Sequence, residues 1–293
     1  MTEQNIAQVI PAQPMPVIPG MNIQSSGKIV SANTKLAMLL WAASGMGKTS
    51  LAGSLDRLTQ KFDGRRVLYI PVEASEGGGA VTIRKLNIPM FYPKDLSDLN
   101  KALGSLRNDK SFAGIVLDSA SEVVKQHVKP AALRYPAKDN TPTRSAGVPT
   151  RSDYQVMGEL TSQIFRQLIA MTVHEKPEYR KHIIVTATEK SIEDQDSGRV
   201  TWKGPDLPGA MAREAVAMFQ ICGTIQAKSE VVAGKRSVGR YLVTGTDGVE
   251  ALKDRFELFP QETKICRAWG QGEGEDLCSL WEKYWMPAMA QEG

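Results

Sequence analysis

Ala-Ala-Ser-Gly-Met-Gly-Lys-Thr occupies residues 42–49, between an apolar run at Lys35–Trp41 and a helix-like stretch that begins Ser50-Leu-Ala-Gly-Ser-Leu. Small residues in such a loop let successive backbone N–H groups curl around an anion at the N-terminus of a helix. The stretch follows the phosphate-binding consensus Gly-x-x-x-x-Gly-Lys-[Ser/Thr], except that Ala42 stands in the first glycine position. Alanine accepts that turn only while its φ stays negative. Strand, loop and helix in this order predict a nucleoside triphosphate site rather than an ordinary glycine-rich turn.

The chemistry of the loop assigns roles to its side chains. Lys48 is expected to reach the outer phosphates, and the Thr49 hydroxyl to complete a Mg²⁺ shell that otherwise consists of phosphates and water. No guanine-recognition motif Asn-Lys-x-Asp occurs, which favours ATP as the nucleotide. The residues predicted to bind it are Ser44, Gly45, Met46, Gly47, Lys48, Thr49 and Ser50.

Composition is that of a globular protein. The chain has 293 residues, 42 % of them hydrophobic, which suffices for one large α/β core with small appendages. The longest apolar stretch, Leu36 to Ala43, is far shorter than a membrane helix, and no secretory signal opens the sequence. We therefore expect a cytoplasmic protein with no membrane contact. The net charge of +4 permits a nucleic-acid partner without requiring one.

Apolar runs alternate with helix-like segments from Lys35 onward, which predicts an α/β fold with a mostly parallel central sheet flanked by helices. Strands are expected at Lys35–Trp41, Val67–Val72, Gly114–Asp118, Ile183–Ala187, Met218–Ile225 and Arg240–Gly245. Helices are expected at Lys48–Lys61, Leu96–Arg107 and Tyr154–Val173. The chain divides into a flexible Pro-rich arm at 1–30, an ATPase core at 31–260 and a C-terminal helical tail at 261–293. The apolar face of that tail favours packing on its own core over packing on a neighbouring subunit.

Two carboxylates complete the predicted hydrolytic site. Asp118 ends the apolar strand Ala113-Gly-Ile-Val-Leu-Asp and is the candidate that holds the Mg²⁺ water shell opposite Thr49. Many P-loop ATPases carry a catalytic Glu directly after this Asp, but Ser119 follows here. Glu73 ends the second strand at the same edge of the sheet and is the best candidate to orient the attacking water. The alternative for Glu73 is a solvated loop acid.

The order of phosphate loop, Glu73 and Ile-Val-Leu-Asp118-Ser-Ala resembles the RecA-type recombinase core. It is similar in particular to a phage-encoded branch of small RecA-like ATPases linked to single-strand annealing and recombination. The stretches that carry this resemblance are Ser152–Gly158, Ile183–Ser191, Gly204–Gly209 and Leu252–Phe256. Thr188 stands where relatives are expected to have His. The resemblance implies a RecA-like P-loop NTPase core and, for a phage protein, the cytoplasm of a bacterial host.

The resemblance also implies self-assembly, as a ring or a filament. In RecA-like and RadA-like ATPases a Lys-x-Arg pair reaches the nucleotide of the adjacent subunit, and Lys253 and Arg255 match that spacing. Positive charge supplied by a neighbour would stabilise the transition-state phosphates. The alternatives are a surface basic pair without a catalytic role, or Arg213 in its place.

Nucleic acid is expected to bind a basic segment between the Asp118 strand and the next helix. Residues Lys125 to Ser152 carry six cations against one acid, and their prolines predict a mobile loop. A DNA-binding loop has this position in RecA-like proteins. The nucleic-acid contacts predicted are Lys138, Arg144 and Arg151, with Tyr135 available for stacking. A second loop at Glu189–Gly209, with Lys190, Arg199, Trp202 and Lys203, is a further candidate, and a solvated insertion is the alternative for the first.

Two functions from different classes follow. The first is an oligomeric, DNA-stimulated ATPase acting on single-stranded DNA in recombination or annealing, with a single-strand-binding protein as a further partner. The second is an ATP-dependent switch or assembly module that controls a protein partner and never touches DNA. A small-molecule kinase is less well supported, because neither an Arg-rich lid nor an acceptor pocket is evident. Neutralising the basic loop distinguishes the first two.

Overall fold

The computed structural model describes residues 34–72, 79–134, 148–232, 234–245, 248–266 and 274–291. The arm predicted at 1–30 lies outside the described residues. So do four of the residues named above: Glu73, Tyr135, Lys138 and Arg144. Within the described ranges the chain forms a nine-stranded sheet, with a hydrophobic cluster and helices on each face.

The strands are β1 (Ala37–Ala42), β2 (Arg66–Pro71), β3 (Phe112–Asp118), β4 (His182–Glu193), β5 (Val200–Pro205), β6 (Ile221–Val232), β7 (Lys235–Val243), β8 (Lys253–Asp254) and β9 (Glu262–Ile265). The α-helices are α1 (Lys48–Gly53), α2 (Leu55–Asp63), α3 (Leu96–Arg107), α4 (Ala120–Val123), α5 (Lys129–Arg134), α6 (Arg151–Ala170), α7 (Met211–Met218), α8 (Leu277–Leu280) and α9 (Met286–Gln291). Short 3-10 helices lie at Gly79–Leu86, Met171–Val173 and Pro177–Tyr179, and π-helical turns at Val124–Val128 and Trp281–Trp285. Of the helices in these ranges, none combines the length and apolar character needed to cross a bilayer.

The centre of the sheet is parallel. Its strand order is β2-β3-β4-β1-β6-β7-β9, and the pairs from β2 to β6 all run parallel. This confirms the predicted α/β fold with a mostly parallel sheet. The strands β5, β7, β8 and β9 are added antiparallel. The connection between β6 and β7 spans two residues, which is far too short for the crossover that a parallel pair requires.

Strand β1 is buried along its whole length because both faces of the sheet are covered. Leu39 and Trp41 belong to the hydrophobic cluster that includes α3, α6 and α7. Met38 and Leu40 belong to the cluster on the other face, with α1, α2 and the C-terminal helices. Full burial of such a side chain contributes about 1.5–3 kcal/mol. The C-terminal end of β1, from which the phosphate loop departs, is therefore fixed from both sides.

The prediction of a long irregular loop over Lys125–Ser152 is wrong at both ends. Lys125, Lys129 and Arg134 lie in continuous helical structure from α4 to α5, and α6 already begins at Arg151. The proline that argued for a loop, Pro130, follows the π-helical turn in which the Lys129 N–H donates to the Val124 carbonyl. Proline has no N–H to donate, so a local change in the helix hydrogen-bond pattern accommodates it. Residues 135–147 lie outside the described ranges.

Residues on both sides of the predicted boundary at residue 260 contribute strands to the main sheet. β9 pairs with β7 and extends the main sheet, because β7 would otherwise present an open edge. The helical part of the tail begins at Leu277 and packs on the chain's own core, where Leu280, Trp281 and Trp285 are buried beside α2. A second π-helical turn, Trp281–Trp285, again precedes an X-Pro pair, Met286-Pro287.

Candidate nucleotide site

The phosphate loop leaves β1 with the backbone conformation that its glycines allow. Gly45 has φ 76° and Gly47 has φ 103°, both in the left-handed region that favours glycine. Ala42 is the last residue of β1 and pairs with Thr188 of β4, so it has extended backbone that any residue adopts. Alanine in the first consensus position is therefore compatible with the loop.

The loop lysine is largely buried and partnered. Lys48 is 9 % exposed, and its Nζ donates to the carbonyl oxygens of Ala42 at 2.7 Å and Ala43 at 3.0 Å. Burial lowers the pKa of Lys48, and the carboxylates of Asp118 and Glu189 act in the opposite direction. Glu189 thus lies close enough to the loop to interact with Lys48.

Thr49 and Asp118 come together across the edge of the sheet. Asp118 is the last residue of β3, and Thr49 is the second residue of α1. The Thr49 Oγ1 donates a hydrogen bond to Asp118 Oδ2 at 2.7 Å. Strand β4 lies between β1 and β3, so the two residues meet only because both follow the carboxyl ends of parallel strands. A hydroxyl and a carboxylate oxygen are ligands that suit Mg²⁺, so these two residues fit the ion that accompanies a bound nucleotide.

Two further hydroxyl groups, neither of them predicted from the sequence, donate hydrogen bonds to Asp118. Tyr69 of β2 donates to Asp118 Oδ2, and Thr186 of β4 donates to Asp118 Oδ1. Both are fully buried in otherwise apolar strands. The hydroxyls of Tyr69 and Thr186 within apolar runs were the sequence feature that could have identified these residues, since a buried hydroxyl needs a hydrogen-bond partner.

Arg240 of β7 lies against the phosphate loop. Its Nη2 donates to the Gly45 carbonyl at 3.1 Å, and a Cβ at Gly47 would be 2.9 Å from Arg240 Nη1. Gly47 is thus favoured by its φ, whereas the contact with the flexible end of Arg240 could be relieved by movement of that side chain. Nothing in the sequence near Arg240 signals the contact, because it depends on how the β6–β7 hairpin folds back over the sheet.

Lys253 and Arg255 cap a helix of their own chain. Lys253 Nζ donates to the carbonyls of Val216 at 2.7 Å and Ala217 at 3.2 Å, and Arg255 Nη2 donates to Ala217 at 2.5 Å. These carbonyls end α7, where cations are favourable because of the helix dipole. Burial lowers the pKa of Lys253.

The remaining predicted residues lie as follows. Ser44 is exposed, Met46 packs partly on the core cluster beside α1, and Ser50 is half-buried in α1. Arg151 is exposed at the first position of α6. The second candidate loop, Glu189–Gly209, is mostly the β4–β5 hairpin, in which Trp202 packs against the core and Lys190 and Arg199 are exposed.

A left-handed glycine loop between a buried strand and a helix, with its Lys and Thr beside a strand-end Asp, defines the site of a P-loop nucleotide-binding protein. A protein-family model described as AAA domain matches residues 34–256. The chain therefore belongs to this AAA family and contains an AAA-type P-loop ATPase domain. No curated protein matches it.

Proposed function

We propose that the chain is an oligomeric RecA-like ATPase, phage-encoded, that acts on single-stranded DNA during recombination or strand annealing in the cytoplasm of a bacterial host. Family membership supports nucleotide binding and ATP hydrolysis. The observation that carries the proposal is the direct hydrogen bond between Thr49 and Asp118 beside the buried Lys48. The RecA type and the DNA substrate rest on the sequence resemblance.

In this proposal the chain's own groups hold the γ-phosphate for attack by water. The loop N–H groups and Lys48 bind the phosphates. Thr49 and Asp118 are the residues that would hold Mg²⁺, and the ion would supply positive charge against the negative charge that develops on the phosphates. Glu73 orients the water that displaces ADP from the γ-phosphorus. Ser119, which follows Asp118, has no carboxylate for that task. Tyr69 and Thr186 keep the Asp118 carboxylate in place.

Assembly places a neighbour's Lys253 and Arg255 at the nucleotide. Their present partners are carbonyl oxygens at the end of α7. A phosphate is a stronger partner for a guanidinium than a carbonyl, because both partners are charged. A neighbouring subunit's ATP would therefore draw these side chains from α7 and join the two subunits, and hydrolysis would release them.

Single-stranded DNA binds, in this proposal, to Lys138, Arg144 and Arg151. Arg151 is exposed at the start of α6, and the structure describes no ion pair for it. The alternative, an ATP-dependent switch for a protein partner, gains support from Lys125 and Lys129. These cations lie in a helix, so the segment that can track a strand is shorter and less basic than the sequence suggested.

Strand binding by the variant Lys138→Ala/Arg144→Ala/Arg151→Ala tests the proposal. We expect ATP to promote binding of a fluorescent oligo(dT) strand to the wild type, and the variant to lose roughly 100-fold in affinity at low salt. A control with three exposed cations replaced, Arg84→Ala/Lys85→Ala/Lys110→Ala, removes the same charge elsewhere. Absence of strand binding by the wild type, together with intact ATP hydrolysis, would contradict the DNA function and favour the switch.

A further inference from the structure

A large groove opens between α3, the helix that runs from α4 to α5, and α6. Its volume is about 820 Å³, within the size range of ligand sites. It lies on the face of the sheet opposite α1, and none of the nucleotide-site residues described above lines it. The nucleotide site therefore does not account for it.

Three cations line this groove without a salt bridge among the described residues, and the charge of one of them, Arg134, acts on the Asp95 carboxylate. Lys94, Lys101 and Arg134 line it and are exposed, and within the described residues none of their charged groups forms an ion pair. Asp95 is the single acid among the described residues of the lining, and its side chain accepts the N–H of Asp98 at the start of α3. The groove therefore has a net positive lining.

The wall of the groove holds a polar group without a partner. His127 is 9 % exposed, and its buried Nε2 has no hydrogen-bond partner within the described residues. Leaving such a group unsatisfied costs about 1–3 kcal/mol, so a well-packed wall of purely structural function would not be expected to keep it. His127 lies in the π-helical turn Val124–Val128, and such turns occur frequently at functional sites. The lining also carries the charged side chains of Lys94, Asp95, Lys101 and Arg134 and the uncharged polar side chains of Ser97, Asn100, Gln126 and Gln163. The carboxylates of Asp95 and Asp98 both interact with His127.

We propose that this groove is a second contact site for single-stranded nucleic acid, in which Lys94, Lys101 and Arg134 neutralise backbone phosphates. The inference rests on the proposed strand-binding function and extends it to a concave surface formed by helices. The groove adjoins the proposed strand-binding residues in sequence. Arg134 is the last residue before the segment 135–147, and Arg151 lies just after that segment. The floor is apolar and carries amides, which suits a sugar and base chain better than a uniformly charged peptide.

The test compares the wild type, Lys94→Ala/Lys101→Ala/Arg134→Ala and the matched control Arg84→Ala/Lys85→Ala/Lys110→Ala. Binding of fluorescein-labelled oligo(dT) is followed by anisotropy over a range of salt. We expect the groove variant to bind at least about tenfold more weakly, and the slope of log affinity against log salt to decrease in magnitude by about two, since each single-strand phosphate contact contributes about 0.7. The control should keep the wild-type slope. ATP binding and the thermal midpoint report whether each variant is folded.

Wild-type affinity and slope in the groove variant, with strand binding present in the wild type, would overturn this inference and leave the proposed function intact. If the groove variant lost binding of a labelled oligo-glutamate probe but kept binding of the strand, that result would also overturn the inference and would assign the groove to an acidic protein partner. No strand binding by the wild type would remove both this inference and the function on which it rests.

Discussion

Asp118 accepts hydrogen bonds from three hydroxyl groups that belong to three different elements. Thr49 comes from α1, Tyr69 from β2 and Thr186 from β4. Each donor holds an oxygen of this buried carboxylate in place. Its orientation is therefore set before any nucleotide binds, and Thr49 is the one donor among the three that also belongs to the phosphate loop.

Removal of the Tyr69 hydroxyl should weaken the function of Asp118 without changing the shape of the core. We expect Tyr69→Phe to lower ATP hydrolysis about tenfold and to raise the Mg²⁺ concentration needed for half-maximal rate, because loss of a group that orients a metal ligand typically costs 10–100-fold. The measurement is phosphate release over a Mg²⁺ titration. Binding of a fluorescent ATP analogue in EDTA should be unchanged.

Tyr92→Phe is the matched control for this substitution. The Tyr92 side chain is exposed, its hydroxyl donates to the Met90 sulfur, and no hydrogen bond from it to a carboxylate is described. It should leave both the rate and the Mg²⁺ requirement unchanged. An unaltered Mg²⁺ dependence in Tyr69→Phe would show that the hydroxyl only packs the core.

At the scale of elements, the parallel strands were predictable and the additions to them were not. Val67–Val72 and Gly114–Asp118 are short apolar runs that match β2 and β3 closely. β4 extends to Glu193, well past the predicted Ala187, because its last residues are exposed in a hairpin and carry no apolar pattern. The helix that contains Pro130 was missed because a π-helical turn removes the conflict that proline normally causes.

The residues of the nucleotide site also divide into those that the sequence predicts and those that it does not. Lys48, Thr49 and Asp118 were predictable because loop consensus and strand ends fix their positions from local sequence. Tyr69, Thr186 and Arg240 depend on which strands become neighbours, and that order follows from the packing of the whole sheet. The α7 cap formed by Lys253 and Arg255 was unpredictable for the same reason.

The elements β1, α2 and the C-terminal helix meet at a buried histidine. His182, the first residue of β4, accepts the Leu36 N–H at 3.2 Å and lies 3.7 Å from the Asp63 carboxylate that ends α2. Its ring packs edge-on against Trp281, with centroids 5.0 Å apart. Burial lowers the pKa of His182 to about 4, so the imidazole is neutral in the folded protein near neutral pH.

Acid should therefore destabilise the fold through His182. As pH falls from about 6.5 towards about 4, the unfolded chain takes up a proton that the folded chain excludes, so the free energy of unfolding decreases by up to about 3 kcal/mol. Urea unfolding measured across this pH range checks it. In His182→Asn, whose amide oxygen can accept the Leu36 N–H, the dependence on pH should be shallower. An equally steep dependence in that variant would exclude His182 as its cause.

At the scale of the whole molecule, the AAA domain covers most of the described chain, and the C-terminal helices are part of the same core. Lys253 and Arg255 are held at one end of α7 by contacts within the chain. A catalytic role for them in a neighbouring active site requires assembly, so the activity of mixed subunits is the relevant observation.

Mixing two inactive variants should restore activity if the site is shared between subunits. Lys48→Ala lacks a working phosphate loop, and Lys253→Gln/Arg255→Gln lacks the charges supplied to the neighbour while its amides can still cap α7. In equal mixtures, about a quarter of the interfaces combine an intact loop with an intact Lys-x-Arg pair, so we expect up to about a quarter of the wild-type ATP turnover.

The two variants assayed separately are the controls for the mixture. Turnover in the mixture no greater than the average of the separate variants would exclude the shared site. Full activity of Lys253→Gln/Arg255→Gln on its own would limit these residues to capping α7.

The central claim is that ATP is hydrolysed at the phosphate loop that contains Lys48. Its most direct test is to measure steady-state phosphate release by the wild type, Lys48→Ala and Lys110→Ala. Lys110 is an exposed lysine outside the site. The claim predicts Mg²⁺-dependent ATP turnover in the wild type and the same turnover in Lys110→Ala. In Lys48→Ala turnover should fall roughly 100-fold or more, because removal of one transition-state donor costs about that much. Turnover in Lys48→Ala equal to that of the wild type would contradict it.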